Sequence, residues 1–161
     1  MSFFVVIRGP LGVGKSSIAE RLAKEIGAEH ICIDRILDER GLEEWEADYV
    51  SLKSFVRANE FAADLAREFL AQGRAVIFDG NFYYAAQIED LIGRLDCRHY
   101  VFTLKAPLEV CIDRDRHRDK SYGAEAAREV YAISTGFDWG IGIDATRPID
   151  TVVGEIVSHL S

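Results

Sequence analysis

Gly9-Pro10-Leu11-Gly12-Val13-Gly14-Lys15-Ser16 is the stretch that decides the reading of this 161-residue chain. It fits GxxxxGK[ST] at every fixed position. It follows the apolar run Phe3-Phe4-Val5-Val6-Ile7 and opens a helical pattern from about Gly14 to Ile26, in which Ile18, Leu22 and Ile26 recur every four residues. Strand, glycine-rich loop and helix in that order form the context this pattern needs to cradle an anion. Glycines let successive backbone N–H groups turn inward, and the helix N-terminus adds partial positive charge. Lys15 is placed to reach the β- and γ-phosphates of a nucleoside triphosphate, ATP or GTP, and the Ser16 hydroxyl to ligate Mg2+. Gly9, Pro10, Leu11, Gly12, Val13, Gly14, Lys15, Ser16 and the adjoining Ser17 are the candidate nucleotide-binding set.

Outward from the loop, short apolar runs alternate with longer helical patterns. His30 to Ile33, Ala75 to Phe78, Tyr100 to Leu104 and Ile141 to Ile143 read as further strands. Glu43 to Gln72 reads as one long helical region with a stripe of Phe61, Leu65 and Phe69. Later helices use Ile88, Leu91, Ile92 and Leu95, then about Leu108 into the charged stretch 113–120, then Ala124 to Ile133, then Val152, Val153, Ile156 and Leu160 after Pro148. Strands alternating with helices predict an α/β fold with three layers, a parallel sheet covered by helices on both faces.

Composition narrows the class. The hydrophobic fraction of 48% and charged fraction of 29% fit one globular domain over 1–161, with no repeat or linker. With 19 basic and 27 acidic residues the net charge is −8, which disfavours duplex nucleic acid and anionic membranes as partners. Cys32, Cys97 and Cys111 form no pair or metal-ligand cluster, so free thiols in a reducing cytoplasm are expected. Phe3 to Ile7 is too short for a signal or a membrane span.

Other residues define the chemistry. Asp79 ends a strand, the place for a carboxylate that holds Mg2+ through water. Gly80 follows it, where hydrolytic motors often carry a water-activating Glu. The guanine-reading NKxD is absent, Asn59 and Asn81 being the only asparagines. Asp34 lies just beyond the second strand, at the carboxyl ends where open parallel sheets bind ligands. There it is a candidate general base for an acceptor hydroxyl, its alternatives being a helix cap and a salt bridge to Arg35 or Arg8. Arg114 and Arg118, four apart in the charged run Arg114 to Lys120, share a helix face. They are either a solvated surface or a lid that places guanidinium charge over transferring phosphate. Lys53 and Arg57, in the stretch 38–60 expected to cover the acceptor, are either acceptor anchors or exposed charges. Phe82, Tyr83, Tyr84 and Trp139 either wall a ring or pack the core.

On these residues the chain resembles the small P-loop kinases related to nucleoside monophosphate kinases. It is similar to shikimate kinase-like, gluconate kinase-like and chloramphenicol phosphotransferase-like proteins, and to the kinase domain of polynucleotide kinases. The resemblance implies the P-loop fold with five parallel strands ordered 2-3-1-4-5. It implies a catalytic set of Lys15, Asp34, Arg114 and Arg118, with Ser16 and Asp79 as metal ligands. Asp79-Gly80-Asn81 resembles the acceptor-side segment after the third strand. Arg57 stands roughly where shikimate kinases bind a carboxylate. Ala106-Pro107-x-Glu109 followed by Arg114 and Arg118 resembles the approach to a lid, and Asp144-Ala145-Thr146-Arg147-Pro148 occupies the adenine-packing position, which puts Arg147 in the nucleotide set. The Gly-Gly-Gly loop of shikimate kinases is missing after Phe78, the adenylate kinase DGFPR appears only as Asp79-Gly80, and the lid, about 116–123, is short. The expected activity is ATP- and Mg2+-dependent phosphoryl transfer to a small hydroxyl or phosphate acceptor, or to a nucleotide. The alternatives are a non-catalytic nucleotide-dependent binding or regulatory module and a polynucleotide 5′-hydroxyl kinase.

Overall fold

In chain order the computed structural model has β1 (Phe3–Arg8), α1 (Lys15–Ile26), β2 (Glu29–Cys32), α2 (Ile33–Glu39), β3 (Trp45–Glu46), β4 (Tyr49–Val50) and α3 (Leu52–Ala71). There follow β5 (Val76–Asp79), α4 (Ala85–Arg94), β6 (Arg98–Lys105), α5 (Leu108–Arg116), α6 (Ala124–Ser134), β7 (Ile141–Asp144) and α7 (Ile149–His159). Residues 2–46, 49–118 and 121–160 are described.

Among the described residues five strands form one sheet in the order β2-β5-β1-β6-β7, every neighbouring pair parallel. Counted within that sheet alone, the order is the expected 2-3-1-4-5. β3 and β4 make a separate antiparallel hairpin.

β1 explains the three layers. It is buried on both faces, so all its side chains are apolar until Arg8. Phe4 and Val6 point into a core shared with α3 and α4, where Phe55, Phe78 and Phe82 are fully buried. Val5 and Ile7 point the other way, into a core shared with α1 and α7 that holds Leu22, Phe102 and Ile156. Each such large apolar side chain contributes about 1.5–3 kcal/mol by leaving water. The parallel strands therefore end together, and their carboxyl ends carry the phosphate loop after β1, the start of α2 after β2 and Asp79 at the tip of β5.

Three expectations are corrected. The second strand stops at Cys32, and Asp34 lies in the first turn of α2. The helix expected from Glu43 begins at Leu52, because Ser51 caps it by accepting a hydrogen bond from the Ser54 N–H at 3.2 Å. Residues before it turn into the β3–β4 hairpin. The buried stripe of α3 also differs: it runs over Phe55, Ala58, Ala62 and Ala66, while Leu65 is 47% exposed. Alanines let α3 lie close to α4, where Asn59 Nδ2 donates to the Gln87 carbonyl at 2.9 Å. No helix of the described residues is long and apolar enough to cross a membrane. Cys111 is buried, Cys32 and Cys97 are half-buried, and all three are free thiols.

Candidate functional site

The phosphate loop sits between β1 and α1 as a rigid bend. Gly12 has φ +85°, and a Cβ on it would stand 2.2 Å from the Cys111 carbonyl oxygen of α5. Only glycine combines that left-handed backbone with that approach. Lys15 is 8% exposed and folds back over the loop, its Nζ donating to the carbonyls of Gly9 and Pro10, each at 3.0 Å. Burial lowers its pKa, an effect opposed by the nearby carboxylates of Asp34 and Asp79. Arg114, on α5, donates from Nη1 to the Val13 carbonyl at 3.0 Å and so braces the loop from outside. Ser17 is exposed in the first turn of α1.

Ser16 and Asp79, 63 residues apart, meet at the mouth of the loop: Ser16 Oγ donates to Asp79 Oδ1 at 3.1 Å. This is the pair of hard oxygen donors that suits magnesium when phosphate and water supply the remaining ligands. The Asp79 carboxylate is 1% exposed and is oriented by β2, with His30 Nε2 against Oδ2 and the Cys32 thiol 3.8 Å from Oδ1. Burial and the same carboxylate push the Cys32 thiol up to about 12, so it stays protonated.

Asp34 faces the same space from the start of α2. Its Oδ1 accepts from the Asn81 N–H at 3.4 Å. Gly80 makes that close join possible, since a Cβ there would come 3.0 Å from Ile33 Cβ. Among the described residues no ion pair joins Asp34 to Arg8 or Arg35, and Arg8 is engaged instead with Thr103 and the Ser134 carbonyl. Burial raises the Asp34 carboxyl to about 6; Lys15 opposes the rise, and Asp79 and Glu43 add to it. At neutral pH it is therefore mostly ionised yet far more basic than an ordinary aspartate.

The charged stretch departs from expectation. α5 ends at Arg116, so Arg114 and Arg118 do not share a helix face. The cause is Asp115, 1% exposed, which accepts from Ser121 Oγ at 2.8 Å, from the Tyr122 N–H at 3.1 Å and from the Gly123 N–H at 3.1 Å. One carboxylate thus folds the chain back at the end of α5 and starts α6. Arg118 stays half-exposed, 3.6 Å from Asp115 and with its guanidinium 5.5 Å from the Tyr122 ring centroid, and its charge reaches Lys15. Positions 119 and 120 of the expected lid, and 47 and 48 of the expected acceptor cover, lie outside the described residues.

Two expected site residues stand apart from this cluster. Arg57 is exposed on α3 and makes no hydrogen bond or ion pair among the described residues. Arg147 is tied to α7 by an ion pair to Glu155 at 2.7 Å and donates to the Asp144 carbonyl at 3.0 Å. Sequence reasoning passed over His30 and Asp115, and named Arg8 only as an alternative partner of Asp34. Arg8 is fully buried directly before the loop, donates to Thr103 Oγ1 at 3.1 Å and to the Ser134 carbonyl at 2.7 Å, and lies 4.2 Å over the Phe137 ring centroid. It fixes the C-terminal end of α6 to the root of the loop. A signal for it existed: a cation closing an apolar strand has to find acceptors inside.

The geometry matches known folds. The solved structure of a sugar kinase from a Janibacter species superposes with a TM-score of 0.82 at 16% identity, covering 98% of this chain and 94% of that one. A gluconokinase from Sinorhizobium meliloti gives 0.71 at 17% identity, with 96% and 89% covered. The tunicamycin resistance protein of Deinococcus radiodurans gives 0.68 at 20% identity, with 100% and 96% covered. No curated protein is found to match. The family model described as AAA domain matches residues 4–133, from β1 into α6 and across the loop, Asp34, Asp79 and Arg114. With that match over most of its length, the chain belongs to the AAA domain family, and it has the fold of the small P-loop kinases.

Proposed function

We propose that the protein is a phosphotransferase that moves the γ-phosphoryl group of ATP to a hydroxyl of a small acceptor. The observation that carries the reading is the meeting of three groups at the carboxyl end of one sheet. They are the buried Lys15 ammonium on the phosphate loop, the Ser16–Asp79 oxygen pair at 3.1 Å, and the partly buried Asp34 carboxylate raised to about 6.

Each group has one task. The loop N–H groups and Lys15 hold the β- and γ-phosphates, Lys15 exchanging its two carbonyl partners for phosphate oxygens. Ser16 and Asp79 would hold Mg2+, which when bound neutralises charge on the phosphates. Asp34 takes the proton from the acceptor hydroxyl while that oxygen bonds to the γ-phosphorus and the bond to the β-phosphate oxygen breaks, releasing ADP. A base whose pKa lies near the working pH is both available and strong enough for that step. Arg114, braced on Val13, keeps the loop in shape, and Arg118, whose charge reaches Lys15, adds positive charge toward the transferring group. The acidic net charge supports a small-molecule or nucleotide acceptor over long nucleic acid.

ADP release measured over a panel of nucleosides, nucleotides, sugars, hydroxy acids and an oligonucleotide tests the reading. Stimulation by at least one acceptor, lost in Asp34→Asn, is expected. Release that no acceptor stimulates favours a nucleotide-dependent binding module instead.

A further inference from the structure

We propose that His30 is a positioning residue for Mg2+: by holding Asp79 Oδ2 it keeps Oδ1 turned toward Ser16, and so sets how tightly the ion binds. The proposal deepens the phosphotransferase reading and rests on its assignment of Ser16 and Asp79 to the metal.

Strand pairing brings His30 to this place. β2 runs parallel to β5 with Cys32 beside Asp79 and His30 beside Ile77. Alternate residues of a strand share a face, and so do paired residues of neighbouring strands. His30 and Cys32 therefore stand on the face that carries Ile77 and Asp79. Ile77 lies in the core shared with α1. That puts His30 under α1, the helix whose first turn holds Ser16. Two elements thus reach one carboxylate, α1 through Ser16 and β2 through His30.

The two oxygens of that carboxylate have separate partners. Oδ1 accepts from Ser16 Oγ at 3.1 Å, with the Cys32 thiol, a weak donor, at 3.8 Å. Oδ2 has His30 Nε2 against it. An ionised carboxylate only accepts, so that ring nitrogen carries the proton. The last torsion of an aspartate is soft, and a carboxylate with no partner samples a broad range of orientations. Asp79 is 1% exposed, so water is poorly placed to hold Oδ2 in place of the ring. With Oδ2 engaged by the protein, Oδ1 is left for the ion beside the Ser16 hydroxyl. A hydrogen bond from behind a metal-ligating group fixes its direction, and losing it typically costs roughly 10- to 100-fold in metal affinity.

The rival is a purely structural role, a tie between β2 and β5. Two features speak against it. β2 is an edge strand already paired with β5 along its whole length, from Glu29 to Cys32. His30 is also not sealed in the core: its side chain is 15% exposed and lines a surface groove with Glu20, Ala23, Lys24 and Ala28. A ring kept partly wet adds little core packing, yet its nitrogen meets the more deeply buried carboxylate of the site.

Calorimetry of a non-hydrolysable ATP analogue, titrated into the full chain with Mg2+ and again with EDTA, gives the factor by which the ion tightens binding. His30→Leu, similar in size but without an N–H, is expected to lower that factor by about tenfold or more, with the affinity in EDTA kept within about twofold. His30→Gln, whose amide N–H reaches about as far as Nε2, is expected to keep the factor within about threefold of the parent. Equal behaviour of the two variants, or a loss of affinity that is the same with Mg2+ and with EDTA, overturns the proposal. So does a parent whose binding Mg2+ does not tighten. Should His30→Leu not fold, His30→Gln decides alone, a retained factor supporting the proposal and a loss of about tenfold overturning it. No acceptor enters these measurements, so an acceptor panel with no phosphorylated compound removes the kinase reading and leaves the metal result standing by itself.

Discussion

Arg114 Nη1 donates to the Val13 carbonyl at 3.0 Å, so the middle of the phosphate loop is tied to α5, about a hundred residues further along the chain. Arg118, four positions later, does not touch the loop: it is half-exposed, 3.6 Å from Asp115 at the end of α5. The two arginines therefore separate into a brace on the loop and a charge held beside Asp115. Arg114→Ala is expected to weaken MgATP binding about tenfold, the loss of one charged hydrogen bond. Arg118→Ala is expected to lower kcat by about 10²-fold with the MgATP Kd kept within about threefold. Calorimetry and steady-state kinetics on the two variants check the separation.

Asp34 links activity to pH. Its carboxyl rises from an ordinary 3.8 to about 6, so kcat/KM is expected to fall about tenfold per pH unit below 6. The same shift sets a stability trend of opposite sense. The folded state holds the proton more tightly than the unfolded chain between pH 3.8 and about 6, so stability decreases as pH rises through that window. Asp34→Asn should abolish transfer and yet be about 1 kcal/mol more stable than the parent at pH 7, the partial exposure of the group keeping the gain small. The gain should vanish near pH 4. Thermal melts from pH 4 to 7 beside an activity profile check both signs.

Gly12→Ala is expected to cost at least about 2 kcal/mol in stability and to remove detectable MgATP binding, because the loop cannot keep φ +85° against the Cys111 carbonyl. Gly27→Ala, a positive-φ position with open space around it, serves as the control: a loss of about 1 kcal/mol or less with nucleotide affinity intact.

Asp115→Ala frees Ser121 Oγ and the N–H groups of Tyr122 and Gly123 at once. A loss of about 2 kcal/mol is expected, with faster hydrogen exchange confined to the amides of Tyr122 and Gly123 and the start of α6. Exchange mass spectrometry resolves that segment.

The parts that were legible in the sequence are those whose causes are local. The loop, the strand before it and α1 follow from glycine spacing and an apolar repeat every four residues, the parallel sheet from the alternation of strands with helices, and its order from the resemblance to small P-loop kinases. Asp79 was found because it ends a strand, and Asp34 because it follows one closely, although it lies in the first turn of α2. The helix expected from Glu43 overran because residues 43–51 contain no glycine or proline, while the Ser51 cap and the Tyr49–Glu46 pairing that form the hairpin depend on tertiary packing. Asp115 looked like one charge in a solvated run, since the donors it satisfies lie six to eight residues ahead. His30 was invisible as a partner of Asp79 because parallel pairing of β2 with β5 brings together residues 49 positions apart.

Titration calorimetry of MgATP into the parent protein and Lys15→Ala tests the phosphate-loop reading most directly. A saturable heat with one site per chain and a Kd in or below the millimolar range, weakened by about 10²-fold or more in the variant, is expected. Absence of heat with the parent protein, or equal affinity in the variant, would contradict it.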